Sequence, residues 1–384
     1  MADKGILKLQ FAVFALVSAS FTNIYLPQPI LPVLQEEFGV SPVEVSFTVS
    51  AVILGIVLSN LLFGLLTDRV SIRPIILAGG VCVAAGGLVV AYSHDFRVLV
   101  VARLFQGLFL PALTTSLAAW LAKTLPSERL NVMMGSYVSA TVLGGLGGRL
   151  IGGWMHPPFH WRSAFITAAV LIAITTTLAL IVLPRTEVQK AASRDGEAGF
   201  LDILKRRDLI LFLGCGFTGL LIFSPVFNYL PYRLIEDPFD FSTEVITLIY
   251  LVYVLGIFMG PLAGQCSNRY GGGNTLIGGT CILGASLVTL LIPSVVTIMI
   301  GLLGVCAGFF TVHSVAVGLL NRKLSSGHGK ANALYSLLYY AGGWIGITGA
   351  GFAFQNAGWG GVIAFVLCFL VVPLFTGYIE KKSD

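Results

Sequence analysis

The chain has 384 residues, of which 56% are hydrophobic and only 11% charged, and its mean hydropathy is +0.89. So few charges cannot coat a soluble globule of this size, which excludes a large water-soluble domain and points to a bilayer. The formal net charge of +5 follows from a one-sided distribution of basic residues described below, so it gives no reason to expect a nucleic-acid partner.

Apolar runs of about 20 residues, enough to cross a roughly 30 Å hydrocarbon core as helix, recur along the whole length. In chain order they predict spans over 9–31, 46–66, 74–92, 99–121, 132–155 and 164–183. A second set covers 209–230, 245–263, 275–292, 296–320, 333–354 and 362–378. The predicted fold class is an all-α integral membrane protein of twelve transmembrane helices. Glycine and proline are frequent inside the spans, which suits closely packed, bendable membrane helices. The first run is long enough to span and no small-residue cleavage site follows it, so it is expected to stay as the first helix.

An even number of spans puts both termini on one side. Lys and Arg crowd that side, from Lys4 and Lys8 through Arg69, Arg73, Lys123, Arg129 and Lys205 to Lys381 and Lys382. The opposite side holds only Arg97, Arg162 and Arg233. The positive-inside rule then predicts cytoplasmic termini in a bacterial-type inner membrane. The six cysteines fall in spans or in a loop on the basic side and are expected to be packing residues, neither disulfides nor metal ligands.

The one long polar loop divides the chain into 1–184, a linker over 185–208, and 209–384. Within the linker, 200–204 has apolar residues at helical spacing and reads as a short helix on the inner membrane face in an otherwise plain tether. The halves repeat one another. Gly64, Asp68 and Arg69 have counterparts in Gly264, Asn268 and Arg269, with Gly271 to Gly273 in the places of Ser71 to Arg73. Tyr25-Leu26-Pro27 matches Tyr229-Leu230-Pro231. Tyr137, Gly144, Gly145, Gly148 and Gly153, followed by Trp161, match Tyr335, Gly342, Gly343, Gly346 and Gly351, followed by Trp359.

A parallel repeat of six spans is an architecture of secondary transporters, in which the halves rock about a midplane substrate. Gly64, Asp68, Arg69 and Arg73 resemble the loop signature of the major facilitator superfamily, and Arg103-Leu104-Phe105-Gln106-Gly107 resembles its fourth-helix signature. The glycine-rich run from Gly144 through Gly148 to Gly152 and Gly153 resembles the antiporter signature, with Arg149 in the place usually held by proline. Together with the Tyr-Leu-Pro-Gln start and the segment 309–314, it resembles a YnfM-type branch of drug:proton antiporters. The resemblance implies the two-repeat fold and alternating access. It also implies that Asp68 closes the basic side by sitting against the start of the eleventh span, at the positive end of its helix dipole, with Arg69 or Arg73 as its partner. The copy, with Asn268 and Arg269, would hold less strongly. Gly144, Gly148, Gly152 and Gly153 would serve as hinges.

Arg103 and Arg149 each stand about 6 residues below the outer end of their span, about 9 Å into the membrane at 1.5 Å per residue, while no Asp or Glu lies in any predicted span. Two intramembrane cations without an anion invite a carboxylate-bearing substrate held by arginine forks. The competing expectation is structural: Arg103 bonds helix-end carbonyls and Gln28 or Gln106, and Arg149 snorkels outward or packs in the glycine groove. His313 is the one intramembrane group suited to titrate near neutral pH, so His313 or Asp68 is the candidate for proton coupling. Asn23, Tyr25 and Gln28 in the first span, Gln106 in the fourth, Asn228 and Tyr229 in the seventh, and Tyr335 and Tyr339 in the eleventh are candidate substrate-binding residues for an amphipathic substrate. Tyr232 reads instead as an interface anchor.

No phosphate-cradling loop, metal cluster or nucleophile motif is present in the sequence, so no enzyme activity, cofactor or metal is expected. The expected partners are the lipid bilayer, a small-molecule substrate and protons, with the chain working as a monomer. The leading expectation is a proton-coupled exporter of a small organic compound. The alternatives are an importer or facilitator of an organic anion held by the arginines, and a non-transporting membrane sensor or scaffold.

Overall fold

The computed structural model describes residues 3–184 and 199–383, so most of the predicted linker, 185–198, lies outside the described residues. Among the described residues the chain is helical, with no strand. The first half contains α1 (Asp3–Tyr25), α2 (Leu31–Phe38), α3 (Pro42–Leu66), α4 (Ile72–Tyr92), α5 (Phe96–Leu113), α6 (Thr115–Thr124), α7 (Ser127–Phe159) and α8 (Trp161–Val182). The second contains α9 (Phe200–Lys205), α10 (Arg207–Ile235), α11 (Thr243–Ile249), α12 (Leu255–Tyr270), α13 (Gly272–Thr289), α14 (Val295–Arg322), α15 (His328–Leu367) and α16 (Val371–Ser383).

Nine helical stretches among the described residues are long and apolar enough to cross a membrane. The longest, His328–Lys382, has 55 residues and supplies two crossings. It breaks at Ala357 and Gly358, where Gly358 takes φ 57°, ψ −149°, a conformation that glycine reaches without strain. Glycine and polar residues dilute α7 and α13, which complete the twelve predicted helices.

Several predicted spans are interrupted, for local reasons. The first stops being α-helical at Tyr25 because Pro27, Pro29 and Pro32 cannot donate backbone hydrogen bonds; a 3-10 turn, Gln28–Ile30, leads into α2. The fourth divides at Thr114, just after Pro111. The eighth divides at a 3-10 turn over Tyr250–Val254. The short linker helix is present as α9, with Gly199 N donating to Asp202 Oδ2 at 2.9 Å and Ile203 buried among Leu209, Leu319 and Leu334.

Two compact units emerge. Unit 1 comprises Met1–Val40, Phe47–Ser193 and Thr243–Tyr250; unit 2 comprises Ser41–Ser46, Arg194–Ser242 and Leu251–Asp384. In unit 1, α1 packs on α7 and α8, and α4 packs on α5 and α8. In unit 2, α10 packs on α15 and α14, and α13 on α14 and α16.

The glycines of the repeat explain the tightest of these contacts. A Cβ on Gly144, Gly148 or Gly152 would collide with the carbonyl oxygens of Ser18, Thr22 or Leu26, one turn apart along α1 and just beyond its end. In unit 2 a Cβ on Gly342 or Gly346 would collide with the carbonyls of Phe217 or Leu221 of α10. Small residues at four-residue spacing let two backbones touch where side chains would hold them apart. Judged by these contacts, the Tyr25-Leu26-Pro27 match to Tyr229-Leu230-Pro231 is out of register by about one helical turn. Tyr25 ends α1, whereas Tyr229 lies inside α10.

Candidate functional site

Unit 1 holds a polar network at the C-terminal end of α1. Arg103 is fully buried, and each limb of its guanidinium has a protein acceptor. Nε donates to Thr48 O at 2.7 Å, Nη1 to Gln106 Oε1 at 2.8 Å and Nη2 to Ile24 O at 3.0 Å. One side chain on α5 thus ties α1 and α3 together. Gln106 Nε2 in turn donates to Val83 O of α4 at 3.0 Å and reaches Asn23 Oδ1 at 3.4 Å. Asn23 Nδ2 is taken by Ala19 O at 2.9 Å.

Arg149 is also buried but has different surroundings. Nε donates to Gln28 Oε1 at 2.8 Å and Nη1 to Gly145 O at 2.7 Å. Its guanidinium carbon stands 4.3 Å from the Tyr25 ring centroid and 5.4 Å from that of Tyr250, so the cation is held between two aromatic faces. Proline, the residue expected at this place, could supply neither contact. Nearby, a Cβ on Gly153 would collide with the Thr247 side chain, which is how the segment Thr243–Tyr250 packs so closely on α7. The two arginines therefore meet the end of α1 through separate sets of partners, not as a joined pair.

At the opposite end of unit 1, Asp68 pairs with Lys123, Oδ1 to Nζ 2.5 Å, and Lys123 Nζ also donates to Thr67 Oγ1 at 2.7 Å. The expected partners are otherwise placed. Arg73 Nη1 donates to Leu183 O at 2.7 Å, closing the α8 end, and Arg69 sits in the turn with its backbone N on Leu66 O at 3.0 Å. Arg73 begins α4 beside that carbonyl, while Lys123 in the last turn of α6 has the reach to Asp68. A Cβ on Gly64 would meet Thr115 Cγ2 at 3.7 Å, an ordinary van der Waals contact.

Unit 2 presents an aromatic wall. Phe223 of α10 stacks on Phe309 of α14, with centroids 3.9 Å apart and planes 17° apart, and Phe309 is followed by His313 at 5.8 Å and 15°. Tyr335 Oη and His313 Nδ1 share a hydrogen bond of 3.0 Å, and the Tyr339 ring lies 5.0 Å from the imidazole. Phe223, Phe309 and Tyr335 are buried; His313 and Tyr339 are half-buried.

On α10, Tyr229 Oη donates to Ile347 O at 3.1 Å, and Asn228 is fully buried with neither amide atom hydrogen-bonded. Tyr232 is buried, its ring 5.3 Å from Phe354, so it is a packing residue and not an interface anchor. In the repeated loop Asn268 is an α12 residue, and Arg269 lies over the Tyr270 ring at 5.2 Å. Beside it Arg322 Nη2 donates to Ser267 Oγ at 3.0 Å, and Lys323 pairs with Glu380, Nζ to Oε2 2.5 Å. Sequence reasoning missed Lys123, Tyr250 and Phe309 as partners. The signal for Lys123 is its place in the last turn of its helix, like that of Arg322 in α14.

The family model of the Major Facilitator Superfamily matches residues 13–326. The chain belongs to the major facilitator superfamily. This transporter is 29% identical over 374 residues to the inner membrane transport protein YnfM of Escherichia coli K12, covering 97% of this chain and 90% of that protein. It is 28% identical over 379 residues to the uncharacterized MFS-type transporter YybF of Bacillus subtilis 168, covering 98% and 94%. Among solved structures, a bacterial homologue of the human lysosomal transporter Spinster in an inward-facing conformation matches with a TM-score of 0.77 at 13% identity. That match covers 100% of this chain and 98% of the other and shows the shared fold.

Proposed function

We propose that this transporter is a proton-coupled exporter of small amphipathic organic compounds, working by alternating access in a bacterial inner membrane with both termini cytoplasmic. The observation that carries the reading is the His313–Tyr335 hydrogen bond of 3.0 Å set in the aromatic wall of unit 2. A phenol hydroxyl can donate or accept. The bond therefore survives when the imidazole takes a proton, with Nδ1 then donating to the phenol oxygen, and the same wall offers ring faces to an amphipathic substrate. Proton and substrate would thus meet on neighbouring side chains, as exchange requires.

In this reading Arg103 braces the helices and does not grip substrate, since each limb of its guanidinium already has a protein acceptor. Arg149, clasped by Tyr25 and Tyr250, positions the α11 segment. An organic-anion importer would need those donors released. The membrane assignment draws on the name of the YnfM relative and on the crowding of basic residues towards the termini.

Counter-transport in proteoliposomes with an imposed pH gradient, across a panel of dyes and organic acids, tests the proposal. Gradient-driven accumulation of amphipathic dyes is expected. Uptake indifferent to the gradient, or restricted to anions and abolished by Arg149→Ala, would favour the anion facilitator.

A further inference from the structure

Unit 1 carries a groove of about 430 Å³ between α4 and α5. Its floor is made of small residues, Ala85, Gly86 and Ala102. The walls include Val101 and Phe105, which are 64% and 39% exposed on the α5 face opposite Arg103 and Gln106. In a membrane helix such a face meets acyl chains rather than water. The rim is different. Arg97, in the first turn of α5, lines the groove with its aliphatic stem, and only its backbone N is engaged, by Asp95 Oδ1 at 2.7 Å. Among the described residues its guanidinium has no hydrogen bond or ion pair, whereas Arg162 of the same unit is paired with Glu37 at 2.6 Å. The Asp95 carboxylate serves as the α5 cap and forms no ion pair with Arg97.

We infer that this groove binds one glycerophospholipid, an acyl chain lying on the Ala85–Gly86–Ala102 floor and the phosphodiester held by Arg97. An apolar trough rimmed by the stem of an arginine whose guanidinium is unpaired matches an amphiphile whose chain ends in a phosphate, and arginine's fork suits phosphate oxygens. The volume falls in the range of built ligand sites. The position also matters for the transporter. A Cβ added at Gly86 would stand 2.6 Å from Gln106 Cγ, so the groove floor backs directly on the side chain that Arg103 holds. A seated chain therefore supports α4 against α5 one layer from the buried polar network. This inference goes beyond the exporter reading and holds whether or not protons are coupled.

Native mass spectrometry of the full chain released from detergent is the test, with titrations of phosphatidylglycerol, diacylglycerol of the same chains, and inorganic phosphate. Phosphatidylglycerol is expected to be retained about fivefold better than diacylglycerol. Arg97→Ala should reduce it to the diacylglycerol level, and Ala85→Trp, which fills the groove, should weaken both lipids. Val101→Trp on the exposed wall repeats the filling if Ala85→Trp unfolds, with thermal unfolding as the check. Retention that survives either the Arg97 or the filling substitution would overturn the site. Competition by inorganic phosphate as strong as by the lipid would overturn the acyl-chain assignment in favour of a free anion.

Discussion

Lys123 Nζ lies 2.5 Å from Asp68 Oδ1, joining the last turn of α6 to the turn that follows α3. In unit 2 the residue placed like Lys123 is Arg322, whose Nη2 donates to Ser267 Oγ at 3.0 Å, where Lys123 donates to Thr67, while Lys323 pairs with Glu380 of α16. Both units therefore set a cation on the loop hydroxyl, and only unit 1 has an acid beside it. The loop carboxylate stands in unit 1, within the family signature.

The Lys123–Asp68 pair is partly exposed, 24% and 40% by side chain, so its static worth is about 0–1 kcal/mol. Asp68→Asn and Lys123→Ala should each leave the melting temperature nearly unchanged but slow transport. The double substitution should be no worse than the poorer single one, as expected for coupled residues. Asn268→Ala should slow transport less than Asp68→Asn does. Initial rates in proteoliposomes beside melting curves check this; equal effects of the two loop substitutions would show that the asymmetry is not mechanical.

Glu380 is nearly buried, with a side chain 6% exposed. Glu380→Gln strands the Lys323 ammonium and should destabilise the protein by about 1–3 kcal/mol. Lys323→Met added to it should recover most of the loss, because removing both charges is cheaper than removing one. Thermal unfolding in detergent measures both.

Gly148 and Gly147 are adjacent but differ in what a methyl group would meet. At Gly148 it collides with the Thr22 backbone, while at Gly147 it comes no closer than 3.6 Å to Thr22 Oγ1. Gly148→Ala should force α1 and α7 apart and abolish transport. Gly147→Ala should be neutral or stabilising by up to about 1 kcal/mol, the helix-propensity gain over glycine. Expression level, melting temperature and transport rate separate the two.

Arg103→Lys keeps the charge but cannot serve Thr48, Ile24 and Gln106 together, since a lysine ammonium lacks the planar fork. A loss of about 3 kcal/mol is expected from the stranded buried carbonyls and charge. On the proposed reading, in which Arg103 braces helices without touching substrate, transport by whatever protein remains folded should have an unchanged KM.

Much of the fold was legible because hydrophobic run length and glycine spacing are local signals. Gly144, Gly148 and Gly152 announce a close helix contact before any partner is known, and α1 supplies the carbonyls they meet. Partner choice was harder to read. Asp68 has two arginines within five residues, yet its ion pair is with Lys123 from another helix, a choice set by where α6 ends. Tyr250 meets Arg149 only because a 3-10 turn interrupts the eighth span, and nothing in that run of apolar residues marks the interruption. The Tyr-Leu-Pro match misled for a related reason. The same tripeptide falls at the very end of α1 but about a turn inside the end of α10.

The most direct test of the central claim is substrate-induced proton movement across proteoliposomes, recorded with a trapped pH indicator for the native chain and for His313→Gln. Coupled exchange through His313 predicts a proton flux on substrate addition in the native protein. In the variant that flux should be lost while substrate counterflow persists. Substrate flux without proton movement in the native protein, or undiminished proton flux in His313→Gln, would contradict it.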